Sequence, residues 1–108
     1  YIEAGRMIPI AVTSEQRLKG VAVPTLKEQG INVVIGNWRG VYGAAGISDS
    51  QAKALADMVV KATKTKAWAE ALEKNGWTPA LLTGKAFADF VDNDFAALRA
   101  TMVKAGMV

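Results

Sequence analysis

The chain has 108 residues and a net charge of +3, with 51% hydrophobic and 21% charged residues. This length and composition indicate one small globular domain's worth of sequence and exclude a disordered segment. The chain lacks cysteine and histidine, which excludes thiol nucleophiles, disulfides, most zinc sites and every histidine-dependent catalytic triad. Its longest uncharged stretches are ten residues, about half of what a membrane-spanning helix needs, so we expect no membrane span.

The first forty residues predict two short strands and a capped turn. Met7–Val12 is an apolar run that indicates a buried strand, although its proline cannot donate to a sheet ladder. Pro24–Gly30 reads as one or two helical turns, in which Thr25 can cap the backbone while Glu28 reaches back and the final glycine ends the turn. Ile31–Trp38 contains a β-branched run that is typical of a second buried strand.

Three helices are predicted in the second half. The first begins at Ser48, where Gln51 completes a capping box. The second covers about Lys66–Lys74 and stops at the following Asn-Gly pair, and Trp77–Leu82 is a weaker third strand that contains a proline. The first helix has an apolar stripe at the helical period: Ala52, Leu55, Ala56, Val59 and Ala62 or Thr63.

The last helix is predicted from about Gly84 to Ala105, capped by Thr83, with a buried face formed by Phe87, Phe90 or Val91, Phe95, Leu98 and Met102. Aspartates lie in its first half and basic residues in its second, which complements the helix dipole. These aspartates, Asp89, Asp92 and Asp94, lack the glycine and the distant glutamate of a calcium loop, so we predict an acidic surface and no metal site. The elements together predict an α/β fold, with short strands followed by three helices.

Charged side chains alternate in sign along the first two helices. Opposite charges four residues apart are neighbours on a helix surface: Lys53, Asp57 and Lys61, then Lys66, Glu70 and Lys74. A nucleic-acid-binding surface instead gathers cations with few acids between them. We therefore expect no nucleic acid partner.

Glycines recur between the second strand and the first helix, at positions 36, 40, 43 and 46. The segment allows two interpretations, a tight crossing between packed units or an anion site at the N-terminus of the following helix. Its spacing matches neither the dinucleotide motif nor the phosphate-binding loop that ends in Gly-Lys-Ser/Thr. The crossing is the favoured interpretation.

Polar residues follow both predicted strands, where open α/β sheets place their ligands. Thr13 and Ser14 offer hydroxyls and amides, and Arg39 offers a guanidinium suited to a carboxylate, with Trp38 as a pocket wall. Simpler explanations are also open. The two hydroxyls can be ordinary polar groups of a loop, the tryptophan can pack in the core, and the arginine can be solvated.

Four short motifs in this order are similar to the C-terminal third of the solute receptors of tripartite tricarboxylate transporters, the Bug-type periplasmic binding proteins. They are AVTS at 11–14, VPTLKEQG at 23–30, NWRGVYGAAG at 37–46 and KNGW at 74–77. The sequence departs from the family at Ala45, where proline is frequent, and at Ser48-Asp49, which replaces a frequent Thr-Pro. Neither departure changes the charge of the expected cleft.

The resemblance implies a fragment of a two-lobed, type II-like periplasmic binding protein. Residues 1–37 would belong to the second lobe, residues 38–46 would form the crossing or hinge, and residues 47–108 would return to the first lobe. The implied ligand is a small organic anion, a di- or tricarboxylate. The residues expected to hold it are Thr13, Ser14, Asn37, Trp38, Arg39 and Gly40.

The implied function is periplasmic capture of a carboxylate by lobe closure, followed by docking on membrane transporter subunits. No catalytic residue and no cofactor is expected. The chain begins with Tyr1, which suits a piece of a longer precursor, and such a piece should bind solute poorly by itself. Two alternatives are a nucleotide- or phosphate-binding enzyme domain that uses the Gly40–Gly46 loop, and a small helical protein-interaction module.

Overall fold

The computed structural model describes all 108 residues and divides into two compact units, residues 1–40 and 41–108. Unit 1 contains one 3₁₀ turn, Lys27–Gln29. Unit 2 contains three helices, α1 (Asp49–Thr63), α2 (Lys66–Asn75) and α3 (Gly84–Lys104). The boundary between the units falls inside the segment 38–46 that was expected to be a crossing, and the assignment of these units to lobes stays a prediction.

Backbone hydrogen bonds bring three segments of unit 1 together. The Val12 amide donates to the Pro24 carbonyl, and the Leu26 amide donates to the Val12 carbonyl, both at 3.0 Å. This is the pattern of a parallel bridge, which joins Val12 to Thr25. The residue after Val12 bonds to the third segment: the Ile35 amide donates to the Thr13 carbonyl at 2.9 Å. Residues 12–13 therefore lie between two neighbouring segments.

The predicted strands Met7–Val12, Ile31–Trp38 and Trp77–Leu82 are not formed, and the bridge at Val12 is the whole of the β-pairing. The apolar pattern shows which segments suit a sheet, but a strand exists only where a neighbour pairs with it over several residues. Here each pairing extends over one or two residues. The α/β class with short strands is therefore not confirmed, whereas the three helices are.

The capped turn predicted in unit 1 is confirmed. The Glu28 amide donates to Thr25 Oγ1 at 3.0 Å, and the Thr25 amide donates to Glu28 Oε2 at 2.9 Å. Gly30 ends the turn with a left-handed φ of 87°. Thr25 is 1% exposed and Val23 is 8% exposed, and these are the two buried residues of the chain. The turn is therefore the best-packed part of unit 1.

The ends of α1 and α2 match the sequence prediction because short-range hydrogen bonds define them. Ser48 and Gln51 form the expected capping box at the start of α1. Thr65 Oγ1 accepts a hydrogen bond from the Trp68 amide at the start of α2. Gly76 ends α2 at φ 64°, and the Trp77 amide donates to the Leu72 carbonyl at 2.9 Å.

Helix α3 begins after Thr83 as predicted, but the threonine side chain makes no capping hydrogen bond. The next residue, Gly84, has a φ of +57°, so the first turn does not start with the geometry that a hydroxyl cap requires. The helix ends one residue before the predicted end, where Gly106 turns the chain at φ 70°.

The predicted buried helix faces are wrong for this structure. None of the three helices has a buried residue. Leu55 in the α1 stripe is 44% exposed, and Phe95 in the α3 stripe is 68% exposed. An amphipathic pattern identifies the face that suits burial, but burial requires an opposing layer. No helix is both long and apolar enough to span a membrane.

Replacing Gly76 by alanine should lower the free energy of unfolding by about 1 kcal/mol, because a β-carbon is strained at positive φ. Gly36→Ala is the matched control, since Gly36 lacks a positive φ and a β-carbon there meets no atom within 4 Å. Urea unfolding measures both variants. Equal stability of the two variants would contradict the assignment of Gly76 as a left-handed cap.

Glu28 should titrate far below an ordinary glutamate. A bifurcated hydrogen bond from Arg17 Nε, at 3.0 and 3.1 Å to the two carboxylate oxygens, and one from the Thr25 amide lower the pKa of Glu28 from 4.5 to about 2. Because the pKa is lowered on folding, the stabilisation by Glu28 is complete above pH 4.5 and is lost as the pH falls towards 2. Carbon-13 NMR of the Glu28 carboxyl measures the midpoint, and Arg17→Met should raise it. A wild-type midpoint near 4.5 would refute the network.

Candidate functional site

Thr13 connects two of the segments in which the sequence places ligand-binding residues. Its hydroxyl donates to the Ile35 carbonyl at 2.8 Å, and its carbonyl accepts from the Ile35 amide at 2.9 Å. Ile35 lies two residues before Asn37 in the chain. The loop that begins at Thr13 and the segment that leads into residues 37–40 are therefore joined side by side in unit 1.

The hydroxyls of Thr13 and Ser14 both already donate to backbone carbonyls. The Ser14 hydroxyl donates to the Gln16 carbonyl at 2.6 Å, within its own loop, and so does not join the 37–40 segment. A hydroxyl has one proton to donate, so neither side chain has a second donor for an anion. The amides of Thr13 and Ser14 donate to no other backbone group. At positions 13 and 14, the donors left for an anion are therefore the backbone amides.

Asn37, Arg39 and Gly40 are exposed, and Trp38 is half-buried. Trp38 and Arg39 also take part in interactions within the protein. The exposed guanidinium at position 39 can form two parallel hydrogen bonds with a carboxylate, while a half-buried indole presents one apolar surface. Whether residues 37–40 bind a solute stays a prediction.

The sequence interpretation missed a group of ion pairs beside Thr13 and Ser14. Arg17 Nη2 lies 2.9 Å from Glu28 Oε1, and Lys27 pairs with Glu15. Both pairs join the loop after Ser14 to the capped turn. The capping-box pattern predicted that Glu28 would bond to Thr25. The pairing of Arg17 with Glu28 could not be predicted, because no spacing rule relates residues 11 apart across an irregular loop.

The glycine segment gives little support to a phosphate site at the start of α1. A β-carbon on Gly43 would lie 3.0 Å from Ile47 Cδ1, and Gly46 has a φ of +80°, so both glycines serve local chain geometry. The amides of Ser48 and Gln51 are engaged by the capping box of α1, and Asp49 adds a negative charge in the first turn. These features disfavour the phosphate-binding alternative.

The charged residues of the helices form local pairs. Lys53 and Asp57, and Lys66 and Glu70, lie 3.5 Å apart, as their four-residue spacing predicts. Lys85 donates to Asp89 at 2.6 Å. No group of three or more acidic side chains is close enough together to hold a metal ion.

The aromatic residues of α3 were the basis of the interaction-module alternative. Phe87 packs against Tyr42, with ring centroids 5.7 Å apart, and Phe95 is exposed. Exposed apolar side chains on one helix do not by themselves identify a partner. This alternative is therefore not favoured over a solute receptor.

Comparison with known proteins identifies the family. The sequence matches the tripartite tricarboxylate transporter family receptor over residues 1–107. No curated protein and no solved structure matches the chain. The match covers both units and all four motifs from which the resemblance was inferred. The chain therefore belongs to the receptor family of the tripartite tricarboxylate transporters, solute receptors with a periplasmic binding protein fold.

Proposed function

We propose that this protein is the periplasmic solute-binding component of a tripartite tricarboxylate-type transporter and captures a small di- or tricarboxylate. The observation that carries the proposal is the family match over residues 1–107. Receptors of this family bind carboxylates and work with transporter components. The protein delivers its solute to membrane subunits and has no catalytic role.

The proposed ligand site consists of Thr13, Ser14, Asn37, Trp38, Arg39 and Gly40. The paired hydrogen bonds between Thr13 and Ile35 support this grouping, because they hold the two segments side by side. In the proposed site, the amides at 13 and 14 donate to one carboxylate oxygen, and Arg39 supplies the compensating charge. Charge-assisted hydrogen bonds of this type are about twice as strong as neutral ones.

We place the solute between two lobes, with residues 38–46 as the crossing. Residues 1–37 contribute to the second lobe and residues 47–108 return to the first. The solute binds the closed arrangement more tightly than the open one and so shifts the population towards closure. A micromolar dissociation constant corresponds to about −8 kcal/mol, which several backbone amides and one guanidinium can supply. The closed receptor then docks on the membrane subunits.

Calorimetry tests the proposed ligand class. The protein at its naturally expressed length should release or absorb heat on titration with citrate, succinate or glutarate, and give none with ATP. The 108-residue piece by itself should bind the same carboxylates more weakly, because a site made by two lobes loses contacts when one is incomplete. Tight ATP binding without carboxylate binding would overturn the proposal.

Replacing Arg39 by methionine should weaken carboxylate binding about 10- to 100-fold. Loss of a hydrogen bond to a charged group costs about 1.5–3 kcal/mol, and each 1.4 kcal/mol is a factor of ten. Arg99→Met is the matched control, because it removes the same charge from α3, outside the proposed site. Calorimetry gives the dissociation constants. Equal losses in both variants would show that net charge matters and that Arg39 does not contact the solute.

A further inference from the structure

The loop formed by residues 14–23 is fastened to the capped turn at several points. Its two ends are joined by the hydrogen bonds between Val12 and residues 24–26. Between these ends, Arg17 forms an ion pair with Glu28, and Glu15 forms one with Lys27. The Val21 amide donates to the Leu18 carbonyl at 3.1 Å, which tightens the far end of the loop. An exposed loop of this length is ordinarily mobile, so these bonds restrict it where mobility would be expected.

Glu28 binds both Arg17, in the 14–23 loop, and Thr25, in the capped turn. Its carboxylate accepts hydrogen bonds from Arg17 Nε to both oxygens and from the Thr25 amide. The planar guanidinium contacts the carboxylate through Nε and, at 2.9 Å, through Nη2, so it fixes direction as well as distance. Thr25 is buried and is paired through its backbone to Val12. Arg17 is therefore attached, through one carboxylate, to the most buried point of unit 1.

We propose that Arg17 and Glu28 are positioning residues for the solute site, because their ion pair holds the capped turn, whose Leu26 amide binds the Val12 carbonyl and so fixes the peptide group that carries the Thr13 amide. Neither residue touches the solute. The inference rests on the proposed function, since it concerns the same site. The Ser14 amide shares a peptide group with the Thr13 carbonyl, which accepts from the Ile35 amide, so its direction is set by that bond and not by the ion pair.

The physical effect is preorganisation. When the ion pair is removed, the capped turn samples arrangements in which the Thr13 amide points elsewhere, and the apparent affinity falls in proportion to the fraction of molecules that remain competent. Because a competent arrangement must be present before the solute can be held, the loss should appear mainly in the association rate. The solute's contacts in the closed complex are unchanged, so the dissociation rate should change little.

Arg17→Met, Glu28→Gln and the double variant test the proposal in the protein at its naturally expressed length. The probe is whichever of citrate, succinate and glutarate gives the largest heat with wild type. We expect Arg17→Met to weaken binding about fivefold, mainly through slower association in stopped-flow measurements. The double variant should be no weaker than the worse single variant, because the residues act through one interaction. Arg17→Lys, which keeps the charge, should recover part of the affinity.

Lys53→Met is the control, because it breaks another exposed ion pair, with Asp57, on α1. It should bind the probe like wild type. All variants are compared at a temperature well below their unfolding midpoints, so that partial unfolding does not contribute to the differences in affinity. Wild-type affinity and association rate in Arg17→Met would overturn the positioning role and leave the proposed function intact. A wild-type protein that binds none of the three carboxylates would overturn both.

Discussion

Hydrogen bonds between residues close in sequence define nearly every element of this protein. The turn around Thr25 is the clearest example. Thr25 is the most buried residue in the chain, and its hydroxyl and amide both bond to Glu28 three residues later. The same residue is paired with Val12 through the backbone. Local capping therefore holds the most buried point of unit 1, and α1 and α2 likewise begin at their own side-chain caps.

This dependence on local bonds determines what the candidate site offers to a solute. Thr13 uses its hydroxyl and its carbonyl to join Ile35, and Ser14 uses its hydroxyl within its own loop. The hydroxyls at positions 13 and 14 are thus engaged in local structure, and the backbone amides there are left as donors. In the proposed site, amides fixed by the chain's own hydrogen bonds need little reorganisation to bind a carboxylate.

The exposed helix faces are consistent with family membership. Receptors with a periplasmic binding protein fold are layered, and an apolar stripe on a helix is suited to one side of such a layer. The stripes of α1 and α3 have the composition of core-facing surfaces, but they are exposed in this structure. The apolar period therefore shows that these helix faces are suited to burial. Their exposure shows that these 108 residues do not bury them.

The sequence by itself determined the features that depend on neighbours in the chain. The caps at Thr25, Ser48 and Gly76, and the ion pairs at four-residue spacing, follow from geometry within one or two turns, and the structure contains them. The four ordered motifs were also enough to identify the family. Tertiary structure alone decided whether apolar segments pair or pack, because pairing and burial need a partner that periodicity does not specify. It also decided the partner of Arg17, since an irregular loop has no repeat from which a contact with Glu28 could be read.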